Sequence, residues 1–450
     1  MKLLDNPYTI GRPIVDPAGF VGREELLEAV RAALLVDGHK GVGIRGGRRM
    51  GRSSILHQLR ARMAAVPELR PVYVDLRSRL RAPIEVMVPH LAQAVARGLH
   101  IGAPRLLGPA DIAFREAWLP EKIDALDGAK LVLLLDSFEG LVEPSRAAAA
   151  ASFYRYIGGL LGRVQNLRVI ASFGHQVTGV GSDVVAGFQV FDVPPLELED
   201  VQALMLRSHK QGTLRWEPRA GMAVWALTRG HPELTQLLCS EVWEELNYYD
   251  PSSVPEVTVS EVHSAANKAV ESAAPIVDRL WSSFEPASRV VLAALASQPS
   301  EEVSLGELWR ALGESGVHEL GPRIEAVPRE LEARGVLERV AGDDGDRLRI
   351  RYPLLHKALA RHRPLRRVQA ELDRVEPEAD AYYRDALDLT KDPERRGSDA
   401  IVARLRSALE LNPNHAKAMA LLADILLKDG EEDEAVRLLE RLYEIQPDAA

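Results

Sequence analysis

With a single cysteine, Cys239, the 450-residue chain can form no internal disulfide and no thiolate-bound metal cluster. Its neighbours Leu237 and Leu238 mark it as a buried thiol that packs as a small hydrophobe. Long apolar runs are missing too: none approaches the roughly 18 residues that a membrane span needs. The opening MKLLDNPYTI lacks the continuous apolar stretch of a signal peptide. The expectation is a soluble protein of a reducing, cytoplasmic compartment. Nor is there an excess of positive charge. At a net −9 the surface as a whole is not built to condense on DNA or an anionic bilayer, although a local basic patch is compatible with that total. What is present is ordinary for a globular chain: 46% hydrophobic and 27% charged residues, in a length suited to about three domains.

Residues 1–20, rich in Pro, Gly and Asn, read as an extended lead-in. A helix begins near Glu24, with Leu26, Leu27, Val30, Ala33 and Leu34 at helical spacing. Gly41–Arg45 is a short strand that runs into Gly46-Gly-Arg-Arg-Met-Gly-Arg-Ser53, and a helix follows with Ile55, Leu56 and Leu59 on one face. Strands are also expected at 71–76, 130–136 and 167–172, with a fifth at 188–192. Helical stretches between them imply a parallel sheet with right-handed crossovers. After Pro194-Pro195 the pattern turns to helices alone through about residue 270. Three helices and a two-stranded wing follow, the wing formed by 336–340 and 347–351 around Gly342-Asp-Asp-Gly-Asp346. This is winged-helix architecture. Near the end, Pro413 and Pro447 stand 34 residues apart around helices 416–428 and 433–445, and an earlier unit starts at Pro377. These resemble a pair of tetratricopeptide repeats, which offer a concave helical surface to a protein partner.

The loop 46–53 fits the phosphate-binding pattern G-x-x-x-x-G-K-[ST] except at Arg52. Glycines let the chain wrap with its N–H groups pointing at phosphate oxygens, and the following helix turns its positive end to the same anion. Gly46, Arg48, Arg49, Gly51, Arg52, Ser53 and Ser54 are therefore candidate nucleotide ligands, with Ser53 or Ser54 placing a hydroxyl on Mg²⁺. The strand 130–136 carries Asp136 to the carboxyl edge of the sheet, where it can hold the same metal through water.

Several separated motifs share a resemblance. Asn6-Pro-Tyr8, Gly11, Pro13 and Phe20-Val-Gly-Arg-Glu24, ahead of the loop, look like the start of a STAND or archaeal-type AAA+-related ATPase. Leu133-Leu-Leu-Asp136-Ser-Phe-Glu139 and Leu227-Thr-Arg-Gly-His-Pro-Glu-Leu234 look like later parts of the same family. The resemblance implies ATP or ADP as cofactor. It implies that Gly22 and Arg23 line the base pocket, and that Gly230 and Pro232 of a helical lid touch the adenine side. The expected fold is an α/β P-loop NTPase domain with a parallel sheet over 1–195. A helical lid (196–272), a winged helix (273–366) and tetratricopeptide-like repeats (367–450) follow.

Three departures from the family pattern weaken the expectation of turnover. Arg52 stands for the lysine that reaches the β- and γ-phosphates, and its planar fork is larger than an ammonium. Ser137 stands where a glutamate activates water, which leaves Glu139 as the nearest candidate for a catalytic carboxylate. The arginine often found after the fourth strand is replaced by Ser172-Phe-Gly-His175. The helix 323–334 mixes Arg323, Arg329 and Arg334 with Glu325, Glu330 and Glu332, and the wing tip is acidic. DNA binding is accordingly not expected. The expected protein is a nucleotide-binding switch or scaffold with weak or absent hydrolysis, signalling through a protein partner on the repeats. A homo-oligomer is compatible with the fold, and no membrane role is expected. A competent ATPase using Arg52 and Glu139, a pseudo-NTPase that binds nothing, and a transcription regulator are the rival readings.

Overall fold

The structure is a computed structural model that describes residues 5–36, 40–77, 82–138, 147–175, 180–246, 253–315, 322–342, 345–368, 377–391, 398–413 and 415–445. The chain divides into two compact units, Met1–Trp225 with Gly230–Val262, and Ala226–Arg229 with His263–Ala450.

The first unit is built on the predicted parallel sheet. Helix α1 (Glu24–Leu35) precedes β1 (Gly41–Arg45), which leads through α2 (Arg52–Met63) to β2 (Leu69–Asp75). Next come α3 (Ile84–Gly98), α4 (Ala110–Ala113), a π-helical turn at Phe114–Trp118, α5 (Leu119–Asp124) and β3 (Lys130–Asp136). Helix α6 (Ala147–Arg163), β4 (Leu167–Phe173), α7 (Val180–Ala186) and β5 (Gln189–Asp192) complete the sheet. All five strands run parallel in the order β2-β3-β4-β1-β5. From β1 the chain travels to the far edge, returns through β3 and β4 on one side of β1, and then crosses to β5 on the other. The carboxyl end of β1 is thus the topological switch point, the place where open α/β sheets bind ligands.

Strand β3 is apolar on both faces because both faces are covered. Leu133 and Leu135 share one cluster with Leu91 and Val95 of α3 and Phe153 and Ile157 of α6, while Val132 and Leu134 are equally buried on the other face.

The stretch 196–272, expected to be a helical lid, contains α8 (Leu198–Lys210), α9 (Pro218–Thr228), α10 (Pro232–Leu246) and α11 (Val259–Ser272). It is not purely helical as expected: β6 (Arg215–Trp216) and β7 (Glu256–Val257) form a parallel pair. Two-residue strands leave no alternation for a sequence pattern to reveal. Their bonding is nonetheless definite, with Arg215 N–H donating to the Pro255 carbonyl at 2.9 Å and Glu217 N–H to that of Val257 at 3.0 Å. Burial pushes the Cys239 thiol well up, in line with a packing role.

The second unit holds α12 (Ala274–Trp281), α13 (Pro286–Ala296), β8 (Val303–Ser304), α14 (Leu305–Glu314), α15 (Pro322–Ala333), β9 (Leu337–Gly342), β10 (Gly345–Ile350) and α16 (Pro353–His362). The expected two-stranded wing gains β8 as a third antiparallel strand, in the order β8-β10-β9. Asp343 and Asp344 of its tip lie outside the described residues. Among the described residues four helices follow: α17 (Pro377–Lys391), α18 (Ser398–Leu411), α19 (Ala416–Asp429) and α20 (Glu432–Ile445). Ala386, Leu405, Ala418, Leu422 and Ala435 make their shared core. Gly430 ends α19 at φ 85°, a left-handed cap that a side chain would strain. Among the described residues no helix is long and apolar enough to cross a membrane.

Leu133→Ala leaves a void between two covered faces, and we expect it to cost about 2–5 kcal/mol of unfolding free energy in a urea titration. Leu107→Ala, at a site 88% exposed, serves as the control and should shift stability by less than about 0.5 kcal/mol.

Candidate functional site

Strand β1 delivers the chain to the switch point, where Gly46 N–H donates to the Phe173 carbonyl at 3.1 Å. The chain then turns through Arg49 at φ 65° and Gly51 at φ 89°. Gly51 is the N-cap of α2 and, being glycine, supplies no side-chain acceptor of its own. The positive helix end makes a cradle for an anion. Arg52 opens α2 and is half-buried, Ser53 follows it, and Arg48 is exposed at the loop's tip. Space is tight at the loop's glycines. A Cβ on Gly46 would come within 2.9 Å of Val193 Cβ, and one on Gly51 within 2.7 Å of Arg23 Nη1.

Arg23 also has a left-handed backbone, at φ 65°, and its Nη2 donates to the Pro194 carbonyl at 2.9 Å. The Arg23 guanidinium therefore lies between the phosphate loop and the segment after β5. Gly22 packs on α8, where a Cβ would fall 2.2 Å from Asp200 Oδ2.

The lid reaches the same loop through the start of α10. Gly230 has φ 70°, and a Cβ there would stand 1.9 Å from the Leu196 carbonyl oxygen, so only glycine fits. Pro232 is the first residue of α10. His231, just ahead of it, is buried and accepts the Leu234 N–H at Nδ1 over 3.3 Å, capping the helix. Its ring also hydrogen-bonds the backbone of Arg48. Burial, assisted by the nearby Arg23 charge, pushes the His231 imidazole down to about 4. Glu233, in the first turn of the helix, accepts the Gly11 N–H at 3.1 Å and lies 3.6 Å from Arg49 Nη1.

The lead-in before α1 is a strap that no sequence pattern disclosed. Asn6 Nδ2 donates to Ser240 Oγ and Glu244 Oε1, both at 2.9 Å, and Thr9 N–H donates to Gln236 Oε1 at 3.0 Å. With Gly11 on Glu233, the strap follows positions 233, 236, 240 and 244, one face of α10. Tyr8 is buried, with its hydroxyl 2.9 Å from both the Met205 carbonyl oxygen and Ser208 Oγ of α8. Farther on, Ile14 N–H donates to Ser54 Oγ at 2.9 Å, and Gln58 Nε2 donates to the Ile14 and Val15 carbonyls. Ser54 thus ties the strap to α2.

Asp136 is 1% exposed at the end of β3. Tyr73 Oη donates to its Oδ2 at 2.7 Å and Ser172 Oγ to its Oδ1 at 2.8 Å. Ser137, at φ 62°, donates its N–H to Ser172 Oγ at 3.0 Å. Burial and then the Asp136 charge push the Tyr73 phenol well up, so it stays a donor. His57 of α2 stacks on the Tyr73 ring at 4.4 Å, and burial lowers its pKa. Tyr73 and Ser172 were not singled out as partners of Asp136. The signal was available in the strand register: β3 and β4 pair Leu135 with Ala171, which sets Ser172 beside Asp136. Glu139 lies outside the described residues. His175 follows β4 and acts electrostatically on Asp192, and His356 is buried within α16 of the second unit.

The residues fit a nucleotide's phosphates: a cradle closed to side chains at Gly46 and Gly51, capped by a helix end and flanked by arginines. They also fit a magnesium ion, which keeps most of its water and needs only one or two protein oxygens. Ser53 and Asp136 are the donors of that kind.

His231 carries a pH dependence whose sign is fixed by its environment. A free imidazole titrates near 6.5. Between that pH and about 4 the unfolded chain takes up a proton that the folded one refuses, so stability is full above pH 6.5 and falls on acidification. The loss amounts to roughly 3 kcal/mol at the acid end. We expect His231→Gln, which can cap α10 without titrating, to unfold with a shallower pH slope across that window in denaturant titrations.

Solved structures share features of the fold. The Walker-type ATPase of Pyrococcus abyssi superposes with a TM-score of 0.57 at 15% identity, covering 78% of this chain and 98% of that one. Cdc6p from Pyrobaculum aerophilum matches at a TM-score of 0.38 and 15% identity over 80% of this chain and 98% of that one. A STAND protein with a tetratricopeptide repeat sensor from Pyrococcus horikoshii matches at 0.31 and 14% over 97% of this chain and 59% of that one. The tetratricopeptide repeat family model matches residues 396–450, and no curated protein sequence matches the chain. The chain therefore has the fold of a Walker-type P-loop ATPase, with tetratricopeptide repeat at its carboxyl-terminal end.

Proposed function

We propose that this chain is a nucleotide-dependent regulatory switch of the STAND type. ADP or ATP would occupy the loop 46–53, with Arg23 and Gly22 on one side and the start of α10 on the other. Ser53 and Asp136 would hold Mg²⁺, which when bound neutralises phosphate charge. The four-part division into sheet domain, lid, winged helix and repeats frames the reading.

One observation carries it. The strap 6–15 hydrogen-bonds α10 at Glu233, Gln236, Ser240 and Glu244, and α2 at Ser54 and Gln58. Helix α10 in turn contacts the loop at Arg48 and Arg49. An anion entering the cradle competes with Glu233 for Arg49, and any release of Glu233 is felt by the strap. A ligand shifts a conformational balance only through such differential contacts.

The chemistry favours binding over turnover. Backbone N–H groups and the α2 dipole hold phosphate whatever side chains surround them. Hydrolysis, by contrast, needs a positioned base, and Ser137 is not one near neutral pH. Arg52 keeps the positive charge of the missing lysine with a different reach. The state of the nucleotide would be read by a protein partner on the repeats, whose helices form a ready docking surface. In α15 acidic and basic residues alternate, and Glu332 pairs with Arg339 at 2.8 Å, which supports a protein rather than a DNA target.

Calorimetry with ADP and ATP, with and without Mg²⁺, should give saturable binding that Gly51→Val abolishes. Single-turnover hydrolysis should be slow, and Arg52→Lys with Ser137→Glu should raise it by roughly 10²-fold or more, the usual worth of a general base. Absence of binding would leave a scaffold as the better account. Brisk hydrolysis that collapses on Asp136→Ala would replace the switch with a working ATPase.

A further inference from the structure

The net charge of −9 hides a concentration of positive charge in the second unit. Lys357, Arg361, Arg363, Arg366 and Arg367 fall within eleven residues that contain no carboxylate, with His362 among them. Part of this follows from the helix: cations near the carboxyl end of α16 suit its dipole. Arg361 Nε lies 2.8 Å from Glu271 Oε1, and Arg363 donates to Asp278 Oδ1 at 2.6 Å while lying over the Trp281 ring.

Arg366 and Arg367 lie beyond the helix, exposed, on a single 3-10 turn, Leu365–Arg367. That turn is fixed in place. Leu365 is buried, its N–H donates to Ser297 Oγ at 3.0 Å, and Arg367 N–H donates to the Pro364 carbonyl at 2.8 Å. His362 is held as well, its Nε2 at 2.8 Å from the Val270 carbonyl oxygen, which requires Nε2 to carry the proton. Between these groups lies a cavity of about 420 Å³, lined by Glu271, Arg361, His362, Pro364, Arg366 and Arg367.

We propose that this cavity is a second ligand site, for a small phosphomonoester that also carries hydroxyl groups, as a sugar phosphate or a nucleoside monophosphate does. The inference goes beyond the nucleotide site at 46–53 and does not depend on it. Two adjacent guanidinium forks on an anchored turn match a phosphate dianion, because each fork offers paired donors to its oxygens. Glu271 presents an acceptor on the same wall: Oε1 is engaged by Arg361, and Oε2 is the oxygen offered to a ligand hydroxyl. The volume falls within the roughly 300–1,000 Å³ of ordinary small-molecule sites. A nucleic-acid backbone is the poorer occupant, since a uniform row of phosphates gains nothing from a carboxylate in the lining and is repelled by it.

Arginine-directed modification by phenylglyoxal, read residue by residue in the full chain by mass spectrometry, tests the proposal. Millimolar ribose 5-phosphate and AMP should protect Arg366 and Arg367, whereas ribose and adenosine should not. Arg366→Ala with Arg367→Ala should weaken ribose 5-phosphate binding roughly tenfold or more, the worth of a lost charge-assisted hydrogen bond. Glu271→Gln should weaken ribose 5-phosphate and leave inorganic phosphate unaffected. Protection confined to Arg48, Arg49 and Arg52 overturns this site while leaving the nucleotide reading intact. Stronger protection by duplex DNA or by an acidic peptide than by ribose 5-phosphate also overturns it.

Discussion

The Glu233 carboxylate is the point on which the first unit turns. It is 8% exposed, it sits in the first turn of α10 where the helix dipole favours an anion, and it accepts the Gly11 N–H while facing Arg49. Removing one partner of such a buried charge leaves the other uncompensated, at a cost that typically reaches several kcal/mol. The start of α10, the strap and the loop 46–53 are therefore tied at one carboxylate, although they lie about 40 and 220 residues apart along the chain. His231 strengthens the tie in its neutral form, capping α10 on one side and meeting Arg48 on the other.

Part of the backbone strain lies in the same place, at three of the seven non-glycine residues of positive φ among the described residues. Arg23, Arg49 and Ser137 all have positive φ without being glycine, and each borders the expected path of a nucleotide or of its metal. Such conformations cost of order 1–3 kcal/mol and persist only where the surroundings hold them. Here the surroundings are identifiable: Arg23 is held by the Pro194 carbonyl, Arg49 faces Glu233, and Ser137 is held by Ser172. Asp136, gripped by Tyr73 and Ser172, is part of the same firm floor. Two of the three departures from the family pattern, Arg52 at the start of α2 and Ser137 after β3, thus sit beside these held backbones. A site can lose the groups that activate water and retain the groups that hold phosphate, because the latter are mostly backbone.

Much of this architecture was legible beforehand, for physical reasons. Strands β1, β3 and β4 are buried on both faces, so their apolar runs stand out, and the glycine loop between strand and helix needs no long-range information. The repeat helices were legible for a related reason, a regular period ending in the left-handed Gly430. The strap was opaque. Asn6, Tyr8, Thr9 and Gly11 have polar partners some 200 residues away, and hydrogen bonds of that separation leave no periodic trace. The partners of Asp136 fall between these cases, since Ser172 follows from strand register once the order of the sheet is known, whereas Tyr73 requires the pairing of Asp75 with Asp136 across β2 and β3. His231 was read only as part of a lid motif, and its capping role emerges from coordinates alone.

The central claim is that nucleotide occupancy at the loop is felt by the strap through α10. Backbone amide hydrogen exchange, measured with and without ADP, tests this most directly. The account predicts that ADP alters exchange at Thr9 and Gly11 and in the first turns of α10 together with the loop 46–53, because Glu233 and Gln236 accept those strap amides. Slowed exchange confined to 46–53, with the strap and α10 unchanged, would contradict it.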